Sequence, residues 1–247
     1  MSHRGFFITF EGPEGSGKSS QSRMLIRWLR QQGYHAIFLR DPGSTALGRT
    51  LRQVLLHAAV PISPLVEALL FIGGRVQLVE EKIAPALAKG RVVICDRFHD
   101  ATVAYQGFGG ELNVPWLNRL GRSAIGGVMP QLTILLDVPP ARGFARLRRA
   151  KDRIERKARV FHERVRAGYR KLAARERNRF VVLDATQPPE DIQRRIRQIV
   201  TRRLATIPTL RVGRGPVPAA AGTPVGDPTP RRWVWGARLG RRTRPNG

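Results

Sequence analysis

The stretch that decides the fold is FFITFEGPEGSGKS, residues 6–19. Its first part, FFITF at 6–10, is a short apolar run that suits a buried strand. Its second part matches the eight-residue phosphate-loop pattern: Gly12, then Pro13, Glu14, Gly15 and Ser16, then Gly17, Lys18 and Ser19. Beyond the loop, residues 18–32 place Met24, Leu25, Trp28 and Leu29 at helical spacing and stop at Gly33. Strand, glycine-rich turn and helix in that order give the motif its meaning. The glycines let backbone N–H groups face phosphate oxygens, and the helix start adds partial positive charge. Lys18 is placed to reach the β- and γ-phosphates of a nucleoside triphosphate, and the Ser19 hydroxyl to bind Mg²⁺. Such a loop fixes the triphosphate but leaves the reaction open.

Outward from the loop, apolar strands are expected at 36–39, 91–95, 132–137 and 179–183. Helical patterns are expected at 45–58, 64–88, 99–105, 113–125, 158–176 and 188–204, with a very basic stretch at 141–157. Alternating helices and almost wholly apolar strands predict an α/β fold, a five-stranded parallel sheet covered by helices on both faces. From residue 206 the sequence turns rich in Pro, Gly and Ala without periodicity. The expected organisation is therefore one domain over 1–205 and a disordered tail over 206–247.

The net charge is +26. Such a balance invites a nucleic-acid partner, but the cations are scattered arginines on helix faces and in the tail. Dedicated nucleic-acid binding is not expected, although the charge helps attract anionic nucleotides. No apolar run approaches the ~20 residues that span a bilayer. The N-terminal apolar run breaks at Glu11 and lacks the small-residue cleavage site of a signal peptide. The single cysteine, Cys95, allows no intrachain disulfide. A cytoplasmic location with no membrane partner is expected.

Asp96 and Arg97 follow the strand at 91–95 directly, where ligands of parallel sheets sit. Asp96 there can hold Mg²⁺ through water, and Arg97 can clamp a phosphate. The bland alternative is a surface ion pair at a helix start. Phe71 and Arg75 lie four apart and share a helix face, an aromatic plane beside a bidentate donor. The cations of 147–155 suit a closing segment that neutralises charge in phosphoryl transfer, although alone they read as a solvated helix face.

Taken together, FEGPEGSGKSSQ at 10–21, RDPGST at 40–45, LRQVLL at 51–56, LLFIGGRVQ at 69–77 and DRFHDATVAYQG at 96–107 resemble the thymidylate kinase family. LTILLDV at 132–138, DRIE at 152–155, FHERVRAGY at 161–169 and DATQP at 184–188 extend the resemblance. It implies the nucleoside monophosphate kinase fold with a short lid, here about 146–155, and transfer of the γ-phosphoryl group of ATP to dTMP with Mg²⁺. It also implies a homodimer. By the same resemblance, Glu14 lies near the acceptor's 3′-hydroxyl, Phe71 stacks on thymine, and Arg75, Thr102 and Gln106 contact the base. Tyr105 lies beneath the sugar, Arg97 holds the acceptor phosphate, and Arg52 is a further binding arginine. Gly15 stands where some members carry a catalytic arginine, so the chain resembles the subgroup that supplies arginines from the lid. Arg149 and Arg153 are the candidates, with Arg148 beside them. Ala101 stands in place of the usual serine, and the tail has no family counterpart. Three alternatives stay open at this point: a kinase for another nucleotide, a nucleotide-binding regulatory module, and a kinase that binds without turnover.

Overall fold

The computed structural model describes residues 5–148, 150–207 and 210. The candidate Arg149 and, apart from Thr206, Ile207 and Leu210, the expected tail of 206–247 lie outside the described residues. Among those residues the chain runs β1 (Phe6–Glu11), α1 (Lys18–Gln31), β2 (Ala36–Arg40), α2 (Ala46–His57) and α3 (Pro64–Leu78). α3 continues through a π-helical segment, Val79–Ile83, into α4 (Ala84–Ala88). Then follow β3 (Val92–Asp96), α5 (His99–Thr102), a second π segment (Val103–Gly109), α6 (Val114–Ala124) and β4 (Leu132–Asp137). α7 (Pro140–Ala145), α8 (Arg159–Arg175), β5 (Phe180–Asp184) and α9 (Pro189–Ala205) complete it.

The strands form one five-stranded parallel sheet in the order β2-β3-β1-β4-β5. β1 is buried along its whole length, because helices cover both faces, and such strands must be apolar throughout. On one face Leu25, Ile26 and Leu29 of α1 and Ile192, Ile196, Val200 and Leu204 of α9 pack on Phe6, Ile8 and Phe10. Ile207 and Leu210 join that cluster. On the other face Leu78, Val79, Ile83 and Leu87 cover Phe7, Val93 and Cys95. No helix among the described residues is long and apolar enough to cross a membrane.

Two features position the cleft. The connection after β1 leads to β2 while that after β3 leads past β1 to β4, so adjacent strands send their chains in opposite directions and leave a crevice at their carboxyl ends. Register then brings ends together, with Phe10 and Arg40 both paired beside Asp96. The expected helix at 99–105 is found as α5 followed by a π segment, which carries Tyr105 and Gln106. The expected basic stretch contains a helix the periodicity did not announce. α7 is only six residues long and starts on Pro140, a residue suited to a first helical turn.

Candidate active site

The loop 12–17 runs from β1 into α1 with its backbone turned inward. Gly15 has φ +66°, and a Cβ there would lie 1.9 Å from the Gly143 carbonyl oxygen, so α7 packs where a side chain would stand. α1 starts without a side-chain cap and with no acid in its first turn. Thr45, Ser63 and Asn113, by contrast, cap α2, α3 and α6. The first N–H groups of α1 are therefore left to the cleft, with the positive end of the helix behind them. Lys18 folds over the loop. Its ammonium donates to the carbonyls of Gly12 at 2.9 Å and Pro13 at 2.6 Å and to Ser16 Oγ at 3.1 Å. Burial, and then Arg97, lowers its pKa to about 8 against the opposing pull of Glu14, Asp96 and Glu11.

Arg97 faces the loop across the cleft. It adopts φ +68°, uncommon for a side chain this large and held here by several contacts. Its Nη2 donates to Glu14 Oε1 at 2.6 Å and to Tyr105 OH at 3.1 Å, and Nη1 reaches the Gly12 carbonyl and Tyr169 OH, each at 3.4 Å. The Tyr105 hydroxyl donates to the same Glu14 oxygen at 2.6 Å. Burial acts to raise the Glu14 pKa, but Arg97, Lys18 and Tyr105 outweigh it and bring it to about 2. Beneath this layer lies Glu11, which sequence reasoning did not single out. Its carboxyl takes the Phe98 N–H at 2.7 Å and the Tyr169 hydroxyl at 2.8 Å, and burial beside Asp100 pushes its pKa well up.

Phe71, Arg75, Thr102, Tyr105 and Gln106 come together on one wall of a cleft of about 340 Å³, with Lys18, Arg52 and Arg97 on the same cavity. Arg75 is almost wholly buried. Its Nε donates to Asp41 at 2.5 Å and its Nη2 to Thr102 Oγ1 at 2.8 Å, while Nη1 has no hydrogen-bond partner among the described residues. Asp41, quoted in the sequence only within RDPGST at 40–45, is thus the group that orients this arginine. Arg52 lies between other cations. Burial lowers its pKa first, and Arg40 and Arg97 lower it further. Five cations, Lys18, Arg40, Arg52, Arg75 and Arg97, converging on one cavity mark a site for several negative charges.

The Mg²⁺ candidates are also adjacent. Ser19 Oγ donates to Asp96 Oδ2 at 2.5 Å, and the Arg40 guanidinium approaches the two at 3.2 Å and 3.3 Å. No cluster of three or more acidic, His or Cys side chains stands ready for a metal among the described residues. None is needed, because Mg²⁺ beside phosphates takes one or two protein oxygens and fills its shell with water and phosphate oxygens. An alcohol and a carboxylate that already hold a cationic group between them fit that ion.

The lid candidates divide. Arg148 is exposed, and Leu147, Asp152, Ile154 and Glu155 line the cavity. Arg146, not singled out in the sequence, donates to the Ala185 carbonyl at 2.8 Å and reaches the Gly15 carbonyl at 3.5 Å. Arg153 does not line the cavity. Its side chain donates to the Leu55 carbonyl at 2.9 Å and to Glu67 at 2.7 Å. The Asp152 carboxylate takes the N–H groups of Ile154 and Glu155 and so turns the chain there.

Residues 10–196 match the family model described as thymidylate kinase. A thymidylate kinase of Synechococcus sp. (strain JA-2-3B'a(2-13)) is 47% identical over 210 residues, covering 85% of this chain and 100% of the relative. One of Deinococcus radiodurans is 45% identical over 202 residues, covering 81% and 98%. Among solved structures, thymidylate kinase from Ehrlichia chaffeensis superposes with a TM-score of 0.66 at 30% identity, covering 79% of this chain and 98% of that one.

Proposed function

The chain belongs to the thymidylate kinase family, and on that footing we propose that this cleft carries the γ-phosphoryl group of ATP to dTMP, giving dTDP. One observation carries the arrangement. The phosphate loop and the acceptor wall meet at Glu14, which both Arg97 and Tyr105 hold at 2.6 Å. Donor and acceptor phosphates are thereby directed to the same few ångströms of space, and proximity is a large part of what such an enzyme supplies.

ATP phosphates lie along 12–19, on the uncapped start of α1. Lys18 leaves its loop carbonyls for the β- and γ-phosphates. dTMP enters with thymine against Phe71 and its base oxygens toward Arg75, whose free Nη1 supports the assignment. Arg97 and Arg52 receive the acceptor phosphate, and Tyr105 and Glu14 border the sugar. Thr102 and Gln106 border the base, and each also holds a neighbour, Arg75 and Glu67 respectively. The acceptor is already an anion, so little proton chemistry is required. Ser19 and Asp96 are the residues that would hold Mg²⁺, which neutralises phosphate charge when bound. Closure of the lid over 146–155 excludes water that would otherwise take the phosphoryl group. Arg146, at the root of the lid beside the loop, joins Arg148 and Arg149 as a cation that can approach the phosphates. Arg153 serves as an anchor of the lid.

A homodimer is supported by exposed apolar side chains on neighbouring helices: Leu47 and Val54 of α2, Leu65, Val66 and Leu69 of α3, and Trp116 of α6. Sedimentation of the full chain reads this out as twice the monomer mass.

The base assignment is tested by Phe71→Ala. Loss of a stacking plane worth about 1–3 kcal/mol should raise the KM for dTMP about 5- to 150-fold while the KM for ATP stays within about twofold. An unchanged dTMP KM would place the base elsewhere.

A further inference from the structure

Glu67 stands one helical turn before Phe71 and two before Arg75 on α3, yet it lines no part of the cavity and has no role in the chemistry above. Its carboxylate has no exposed surface. It accepts from three side chains: Gln106 Nε2 at 3.0 Å, Arg153 Nη1 at 2.7 Å, and Lys157 Nζ at 3.0 Å and 3.1 Å. Gln106 belongs to the acceptor wall. Arg153 and Lys157 belong to the arm by which the lid returns to α8.

That arm has other ties as well, and Ile154 within it is buried in the cluster of Tyr105, Phe161 and Tyr169. The Arg153 N–H and side chain donate to the Leu56 and Leu55 carbonyls at 3.0 Å and 2.9 Å, taking up carbonyls at the end of α2. The Lys157 ammonium lies 4.7 Å from the centre of the Phe161 ring. Between the two cations, Ile154 and Glu155 face the cavity. Burial works to raise the Glu67 pKa, but the bonds from Gln106, Arg153 and Lys157 hold it below the ordinary carboxylate range. The carboxylate is charged at neutral pH, and a buried charge keeps its partners, since losing one leaves it unpaired. One buried anion therefore binds the wall that meets the acceptor base to the arm that carries the cavity-facing part of the lid.

We infer that Glu67 is a positioning residue through which occupancy of the acceptor site orders the returning arm of the lid. A base seated between Phe71 and Gln106 fixes Gln106. Gln106 fixes the carboxylate, and the carboxylate fixes Arg153 and Lys157. Glu67 touches neither substrate nor the reacting atoms. The inference rests on the acceptor assignment of the preceding subsection.

Residues 146–157 are dense in trypsin sites, after Arg146, Arg148, Arg149, Lys151, Arg153, Arg156 and Lys157. Cleavage of such a segment tracks how often it opens. With the full chain and dTMP alone at saturation, peptide mapping should find cleavage within 146–157 slowed roughly fivefold or more in the wild type. In Glu67→Gln, calorimetry should still show dTMP binding, but protection should fall below about twofold, and more ADP should form per dTDP as water enters under a looser lid. Wild-type protection in Glu67→Gln at equal saturation overturns the inference. So does dTMP that binds the wild type without protecting it, in which case the acceptor assignment stands. Absence of dTMP binding to the wild type removes both. Should Glu67→Gln not fold, Lys157→Met leaves Glu67 paired to Arg153 and should lose part of the protection at the remaining sites; full protection there overturns the inference equally.

Discussion

Lys18→Ala is expected to lower kcat by about 10³-fold or more while the protein stays folded. On the proposed arrangement the ammonium meets the β- and γ-phosphates inside a cleft where water screens it poorly, and nothing in alanine replaces it. Stability should move little. The variant leaves the Gly12 and Pro13 carbonyls without their donor, which costs about 1–3 kcal/mol for a group cut off from water and less at the mouth of a cleft. It also removes a buried cation that burial and Arg97 penalise. These oppose each other, so a Tm within a few degrees of the wild type is expected. The pKa of about 8 gives a second readout of the same residue. Below it Lys18 is charged and ready for phosphate. Above it the free enzyme has lost the proton that the complex needs, so ATP binding takes up a proton and weakens toward tenfold per pH unit. Calorimetry at pH 9 in buffers of different ionisation enthalpy should find uptake approaching one proton in the wild type and none in Lys18→Ala. Equal proton uptake in both would assign the effect to another group.

Arg97 should be next in effect. Its guanidinium contacts the Gly12 carbonyl, Glu14, Tyr105 and Tyr169 at once, a fork that a single ammonium cannot reproduce. Arg97→Lys is expected to lose about 10²-fold in kcat/KM for dTMP, and Arg97→Met about 10³-fold or more, with the ATP KM far less affected. The acid side of the stability profile reports on the same contact. Glu14 has its pKa depressed from the ordinary value to about 2, so its contribution to stability is complete above about 4.5 and is lost as pH falls toward 2. Arg97→Met removes the main cause of that depression. The Tm gap between wild type and variant should therefore narrow as pH drops below about 4.5. A gap constant down to pH 3 would mean that Arg97 does not hold Glu14.

The fold was legible because its signals are local. Apolar runs gave each strand to within a residue, and the phosphate loop fixed both its own turn and the helix behind it. Phe71, Arg75, Thr102, Tyr105 and Gln106 line one cavity, but what holds them did not show in the sequence. Arg75 is aimed by Asp41, which lies 34 positions away, and Gln106 by Glu67, 39 away. No periodicity reports such pairings. Glu67 had one available signal, its place four residues before Phe71 on the same helix face. Arg153 shows the limit from the other side. A basic segment announces cations but not their direction, and in this one Arg153 turns to Glu67 and the end of α2, while Arg146 donates to the Ala185 carbonyl. Glu11 and Tyr169 escaped notice for a similar reason. Each reads as an ordinary strand-end or helix residue until the sheet brings them within 2.8 Å.

The central claim is tested most directly by following ADP formation from MgATP with dTMP, dUMP, UMP, CMP, AMP and GMP offered separately as acceptors. A thymine wall built on Phe71 and Arg75 predicts turnover with dTMP well above every other acceptor. Turnover with a different acceptor at equal or greater kcat/KM, or turnover indifferent to any acceptor, would contradict it.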